Sequence, residues 1–351
     1  MKTSEILHAW GRILSGRRPS LSIELTRECP LRCPGCYAYG DNHLGESAPN
    51  LRKLSDFKGD ELVSRVLDVV DEIKPLHLSV VGGDPLVRYR ELETLLPELS
   101  RRGIHTQLVT SAFRTIPVSW AKIPKLCIVV SVDGLAAEHD LRRRPATYER
   151  ILKNIEGHHE AISIHCTITS QMLYRSGYLA DFAEFWSARP EVKRIWFSVY
   201  TPQRSEISTE NVSFAQRKEI ASKLLAIKEY TDKLDMAPAA IRALAAPPAS
   251  PDKCTFARTT TTLSADLQTK VSPCQFGGDP DCSQCGCVAS AGLHALSEYH
   301  LLPILRVGHL FDASFKIGGL IRKSESTGQR RVPTQRSSSG LVTLPPNSGA
   351  Q

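Results

Sequence analysis

Cys29-Pro30-Leu31-Arg32-Cys33-Pro34-Gly35-Cys36, directly after the apolar segment 21–25, is the stretch on which the reading of the whole chain turns. Its C-x3-C-x2-C spacing puts three thiols within eight residues. Iron–sulfur cubes are held by cysteine thiolates, about four for a complete cube. This loop offers three, which leaves one iron without a protein ligand, and an open position is what a catalytic metal site keeps and a structural one closes. Pro30, Pro34 and Gly35 suit a non-helical loop that wraps closely around a bulky group. Zinc is the other reading of clustered thiols. It needs a fourth ligand, and the paired C-x2-C arrangement of a finger or ribbon is not present here.

Outward from that loop, short apolar runs alternate with longer amphipathic stretches, the pattern of βα units and a parallel sheet. Strands are expected at 21–25, 77–81, 105–109, 127–132, 163–169 and 194–200, with helices at 60–73, 89–101, 148–158 and 178–187. Six such units give an α/β fold, a partial (β/α)6 TIM-like barrel whose ligands gather at the carboxyl ends of the strands. After the second strand comes Gly82-Gly83-Asp84-Pro85, where paired glycines let the backbone approach a ligand and Pro85 stiffens the exit. After the fourth, Ser131 and Asp133 alternate onto one face and are candidates to hydrogen-bond a ribose or a carboxylate. Arg142-Arg143-Arg144 follows, and Thr147 is placed to cap the next helix.

At 351 residues the chain can form one large domain and a smaller one. It has no run of about eighteen apolar residues, so no membrane span is expected. Residues 1–20 set Ile6, Leu7 and Trp10 a turn ahead of Ile13 and Leu14, a short amphipathic helix rather than a signal peptide. Ten cysteines without an export signal point to metal ligation in a reducing compartment, the cytoplasm. The net charge of +7 is partly local to arginine runs and the tail, which reads as solvated surface able to attract an anionic substrate. Nucleic-acid binding is not expected.

Cys29, Cys33 and Cys36 after a strand resemble the cluster motif of the radical SAM superfamily. The resemblance implies a [4Fe-4S] cluster whose free iron is chelated by S-adenosylmethionine, and one-electron cleavage of that cofactor to a 5′-deoxyadenosyl radical. Gly82-Gly83-Asp84-Pro85 is similar to the family's Gly-Gly-Glu-Pro segment, which binds the methionine amino group, with Asp84 in place of Glu. Ser131, Asp133 and the following arginines are similar to a family Ser-x-Asp-Gly segment and its later arginine. The alignment makes Arg143 the partner of the methionine carboxylate through its fork geometry. Tyr37 is expected to pack on the cluster or the adenine. The family usually has an aromatic residue directly before the third cysteine, where Gly35 stands here.

A second set, Cys254, Cys274, Cys282, Cys285 and Cys287, runs C-x19-C-x7-C-x2-C-x-C. A zinc knuckle is one reading of it. Residues 259–267 are expected to form a hairpin, and a hairpin flanked by cysteines before a C-x2-C pair resembles the twitch form of the SPASM extension. That implies an auxiliary [4Fe-4S] cluster on Cys254, Cys274, Cys282 and Cys285, with Cys287 left over as an exchange ligand or a proton or hydrogen-atom donor. Thr269 stands where the family usually has Gly. Cys127 and Cys166 fall inside apolar runs and read as inert buried thiols.

The expected organisation is an N-terminal helix (1–20), a core barrel (21–204), a helical linker (205–252), an auxiliary-cluster domain (253–322) and a disordered basic tail (323–351). The expected function is that of a radical SAM oxidoreductase abstracting a hydrogen atom from a peptide or a small polar molecule, supplied with electrons by a flavodoxin or ferredoxin. About twenty residues precede the first strand, which favours a small molecule or a peptide held by the barrel itself. The contrasting reading is a non-catalytic iron–sulfur electron carrier or zinc-binding adaptor.

Overall fold

Alternation within each strand sets the architecture. A computed structural model describes residues 3–40, 43–45, 51–145, 148–204 and 206–328. In chain order the first elements are α1 (Thr3–Leu14), β1 (Ser20–Glu24), α2 (Gly59–Ile73), β2 (His77–Val81), α3 (Tyr89–Arg101) and β3 (His105–Thr110). Next come β4 (Leu126–Ser131), α4 (Ala136–Arg142), α5 (Tyr148–Asn154), β5 (Ile162–Ile168), α6 (Tyr178–Ser187) and β6 (Val192–Val199). The remainder is α7 (Phe214–Lys228), α8 (Pro238–Ala243), α9 (Thr255–Thr259), β7 (Thr260–Leu263), α10 (Val288–Ser297), β8 (His300–Leu302), β9 (Leu305–Arg306) and α11 (Val307–Gly328).

Seven strands form one parallel sheet in the order β6-β5-β4-β3-β2-β1-β7. Strands β1 to β6 add one after another in a single direction, and right-handed crossovers then put every connecting helix on the same side. Leu21, Ile23, Leu78, Val80, Ile164 and Ile168 face those helices in the main core. Burying each such side chain is worth roughly 1.5–3 kcal/mol before entropy is counted. Ser22, Ser79, Gln107, Ser163, His165 and Ser198 alternate onto the other face. A parallel sheet covered on both sides would be apolar on both. This one is a partial barrel with a polar concave side.

The six expected strands and the helices at 60–73, 89–101 and 178–187 form within two residues of their expected bounds. Thr147 lies outside the described residues. The 259–267 run behaves differently from expectation. Its first part, β7, joins the main sheet beside β1, with Ser20 opposite Thr260. The hairpin survives as a short return in which Val271 N donates to Thr262 O at 3.0 Å and Ser264 N to Thr269 O at 2.8 Å. A threonine-rich strand satisfies its backbone on the open edge of β1, a partner some 240 residues earlier that spacing cannot reveal.

The 205–252 segment, expected as a linker, packs Ile220 and Leu224 of α7, together with Ile241 and Leu244, into the main core. Ser213 and Gln216 form a reciprocal capping box at the start of α7. At the chain ends, Trp10 of α1 stacks on Phe311 of α11 with centroids 5.7 Å apart, and its Nε1 donates to Ser314 Oγ at 2.9 Å. Residues 323–328, expected to be disordered, continue α11, and 329–351 lie outside the described residues. No helix among the described residues is long and apolar enough to cross a membrane.

Candidate functional site

The cysteine loop leaves directly from the end of β1. Gly82 and Gly83 end β2 against it, Gly82 with φ +130°. A Cβ on Gly82 would lie 2.8 Å from Thr26 O, and one on Gly83 would lie 2.0 Å from Glu28 O and 2.7 Å from Tyr39 Oη. Gly83 N donates to Thr26 O at 2.8 Å and Asp84 N to Glu28 O at 2.9 Å, so the turn is laced to the residues just before Cys29. Pro85 opens a buried 3-10 turn, Pro85–Arg88. The Asp84 carboxylate is buried and turned inward. Its Oδ1 accepts from Leu86 N at 3.0 Å and Thr110 Oγ1 at 2.7 Å, and its Oδ2 from Ser111 N at 2.8 Å and from Ser111 Oγ. Asp84 thereby pins β3 to the glycine turn.

Cys29, Cys33 and Cys36 are free, half-buried thiols that act on one another. Burial pushes Cys29 up to about 12, with Asp84, Cys33 and Cys36 adding to it. Burial also raises Cys33, and the nearby Arg143 opposes that shift. A bound metal inverts this balance, because a coordinating thiol is deprotonated outright. Three thiols on one loop, with a glycine turn pressed to it, fit a cube bound at three corners.

The arginine run divides by partner. Arg142 donates from Nε and Nη2 to Glu210 at 2.6 and 2.9 Å and from Nη1 to Asp133. Arg143 donates only its Nε, at 2.7 Å, to Asp133, and its terminal nitrogens have no acceptor among the described residues. Arg144 donates to Leu141 O near the surface. Asp133 is 0 % exposed, and its Oδ1 accepts from Thr167 N at 3.1 Å. Burial would raise its carboxyl, but Arg143 and Arg142 hold it well below the usual range. Ser131 ends β4, buried, and His139 Nδ1 accepts from Asp133 N at 3.2 Å.

Cys254, Cys274, Cys282, Cys285 and Cys287 line one pocket, with Phe276 and Ser290 among its walls. Burial is the first cause that pushes Cys274 up to about 12 and Cys282 up to about 11, and Cys285 and Cys254 add to both. Cys285, Cys254 and Cys282 act on Cys274; Cys285 and Cys254 act on Cys282; and Cys285 and Cys274 act on Cys287. Cys287 is buried, and Gln275 Nε2 donates to its sulfur at 3.6 Å. Among the described residues no three His, Cys, Asp or Glu side chains are arranged to hold a single metal ion. Such an ion sets its sulfurs about 3.8 Å apart, closer than thiolates bound to different irons of a four-iron cube. Of the two other cysteines, Cys166 is in the core and Cys127 is half-buried on the concave side, 3.4 Å from Ser163 Oγ.

Tyr37 joins the two cysteine sets. Its ring meets Phe276 edge-on at 5.3 Å and His43 at 5.7 Å. Burial pushes its hydroxyl far above the ordinary value, with Glu24, Cys36, Cys287 and Cys274 adding to the shift. Sequence reasoning missed what holds this junction. His43 Nε2 sits 2.6 Å from Glu24 Oε1, His43 Nδ1 sits 3.0 Å from Phe276 O, and Ser264 Oγ donates to Glu24 Oε2. A carboxylate ending an apolar strand was the one visible sign. Glu210 was missed as well, and so was Arg217, which is fully buried against the second cysteine loop. Burial lowers Arg217 to about 10, so it stays charged at neutral pH.

A family model described as the radical SAM superfamily matches residues 23–175. Among solved structures, Streptococcus suis SuiB bound to S-adenosylmethionine aligns at 15% identity over 75% of this chain and 62% of that chain, with a TM-score of 0.52. This chain thus spans less than two thirds of SuiB in that alignment. SuiB bound to precursor peptide SuiA aligns at 16% identity over 91% of this chain and 70% of that chain, with a TM-score of 0.53. Native anSMEcpe with bound AdoMet aligns at 17% identity over 89% of this chain and 84% of that chain, with a TM-score of 0.52. At these identities the likeness is one of fold. No curated protein matches the chain.

Proposed function

We propose that this chain, whose residues 23–175 match the radical SAM superfamily model, is an oxidoreductase of that superfamily that cleaves S-adenosylmethionine reductively and abstracts a hydrogen atom from its substrate. The observation that carries this reading is the three-thiol loop at the carboxyl end of β1, locked by Gly83. When bound, the [4Fe-4S] cluster and the sulfonium cofactor supply the electron and the radical. Cys29, Cys33 and Cys36 hold the cluster. The backbone at Gly82 and Gly83 takes the methionine amino end, and the terminal guanidinium nitrogens of Arg143 take its carboxylate. Asp133 aims that arginine, and Asp84 acts by shaping the turn. Tyr37 closes the floor between the two cysteine sets.

The clustering of five thiols around one pocket supports an auxiliary [4Fe-4S] cluster there, with Cys254, Cys274, Cys282 and Cys285 as ligands and Cys287 beside it. The polar concave face supports a polar substrate, either a small molecule or a peptide. A structural neighbour bound to a precursor peptide adds support for the second. A flavodoxin or ferredoxin in the cytoplasm supplies the electrons.

Anaerobically reduced protein given S-adenosylmethionine is expected to form 5′-deoxyadenosine and methionine. Replacing Cys29, Cys33 and Cys36 together by Ala is expected to abolish both products and lower iron from about eight to about four per chain. A triple variant that cleaves the cofactor as well as wild type sinks the assignment. Wild-type protein that holds iron or zinc and cleaves nothing favours the carrier or adaptor reading.

A further inference from the structure

Arg217 is 0 % exposed, and all five of its N–H donors meet backbone carbonyls. Nε donates to Val212 O at 3.4 Å, and Nη1 to Leu244 O at 3.3 Å and Cys285 O at 3.2 Å. Nη2 donates to Tyr200 O at 2.8 Å and to Gln284 O. Its hydrogen bonding is complete, but its charge is not balanced. No carboxylate among the described residues lies within ion-pair distance of it. Arg88, also buried, and the half-buried Arg142 are treated differently. Arg88 has Asp56 at 2.6 Å and Glu28 at 3.1 Å, and Arg142 has Asp133 and Glu210. An uncompensated buried cation is destabilising, so one that persists calls for an anion nearby. Two of its carbonyl partners, Gln284 and Cys285, belong to the loop of the second cysteine set. The groups able to carry negative charge that act on it through space are the Cys285 thiol and, without contact, Asp281.

We propose that Arg217 is the counter-ion of an anionic iron–sulfur centre held by the second cysteine set, and that its charge raises the reduction potential of that centre. The proposal rests on the auxiliary-cluster reading above. Four thiolates around an oxidised cube leave a net charge of about −2, and net charge is among the factors that set a cluster's potential. Reduction adds another negative charge, which a fixed cation favours. Arg217 acts through charge and through the loop it holds, without ligating iron.

The test uses the full chain with Cys29, Cys33 and Cys36 replaced by Ala, so that only the second centre carries iron, titrated electrochemically and followed by electron paramagnetic resonance. Arg217→Gln is expected to shift the midpoint to more negative potential, at least tenfold in the redox equilibrium, which is about 59 mV for one electron. Arg217→Lys keeps the charge and is expected to stay within that margin. A purely structural arginine predicts that both variants lose stability and that neither moves the potential, and that result overturns the proposal. A second comparison holds if the Gln variant does not accumulate. In protein with Cys254, Cys274, Cys282 and Cys285 replaced by Ala, Arg217→Met is expected to lower the thermal midpoint by less than it does in cluster-loaded protein, because only the loaded protein also loses the attraction between cation and cluster; equal losses in the two backgrounds overturn the proposal. Iron absent from the starting triple variant defeats the auxiliary-cluster reading itself, whereas iron present with an unmoved potential defeats only the role of Arg217.

Discussion

Gly83→Ala is expected to empty the first cluster site while leaving the second one filled. The added Cβ would stand 2.0 Å from Glu28 O and 2.5 Å from Glu28 C, and both atoms are backbone. Side-chain rotation cannot relieve that contact, so the residue joined to Cys29 has to move. Overpacking of this kind typically costs about 1–3 kcal/mol in stability. The larger effect is on chemistry, because a shift of about 1 Å in a positioning element can cost roughly 10²-fold in rate. Iron is therefore expected to fall toward the content of the second site alone, and 5′-deoxyadenosine formation to fall at least about a hundredfold. Gly11→Ala is the control. It lies inside α1 with nothing within 4 Å of the new methyl, and it should be neutral or stabilise the helix by up to about 1 kcal/mol. Gly83→Ala protein with wild-type iron and turnover would show that the glycine turn does not shape the cysteine loop.

Asp133→Ala is expected to be the most destabilising single substitution near the site, at about 3–5 kcal/mol. The carboxylate is fully buried, and removing it leaves Arg143 without its protein acceptor and Arg142 with Glu210 alone. Asp133→Asn keeps the shape but cannot balance two cations, and it should lose most of the same stability. Adding Arg143→Met, which removes the cation left without an acceptor, should recover part of the loss. The folded carboxyl titrates well below the roughly 3.9 of an unfolded aspartate, so its contribution is complete above that value and is lost as the pH falls toward the folded one. The gap between wild type and variant in chemical denaturation should thus stay flat from neutrality to about pH 5 and narrow on further acidification. A loss below about 1 kcal/mol would place the arginines in water rather than in a buried network.

The barrel was legible in the sequence because its signals are local. An apolar residue at every second position of 77–81 or 163–169, then an amphipathic helix, fixes each unit within a few residues. Both cysteine sets stand out in the sequence for the same reason, as residue type and spacing mark them as candidate ligands. What stayed hidden depends on partners far along the chain. Thr260–Leu263 pairs with Ser20–Ile23, His43 with Glu24 and Phe276, Arg142 with Glu210, and Arg217 with carbonyls on either side of it in sequence. Asp84 and Asp133 show the limit most clearly. Their positions at strand ends were readable, but whether a carboxylate meets a ligand or a neighbouring donor is decided by packing, and here both meet protein donors.

The most direct test of the central claim is electron paramagnetic resonance on oxygen-free, reduced protein whose second cysteine set has been replaced by Ala, recorded before and after S-adenosylmethionine is added. A cube held only by Cys29, Cys33 and Cys36 keeps one iron open, and its spectrum is expected to change as the cofactor binds there. A spectrum that stays the same at saturating cofactor would mean that a side chain already fills the fourth position, which contradicts the account.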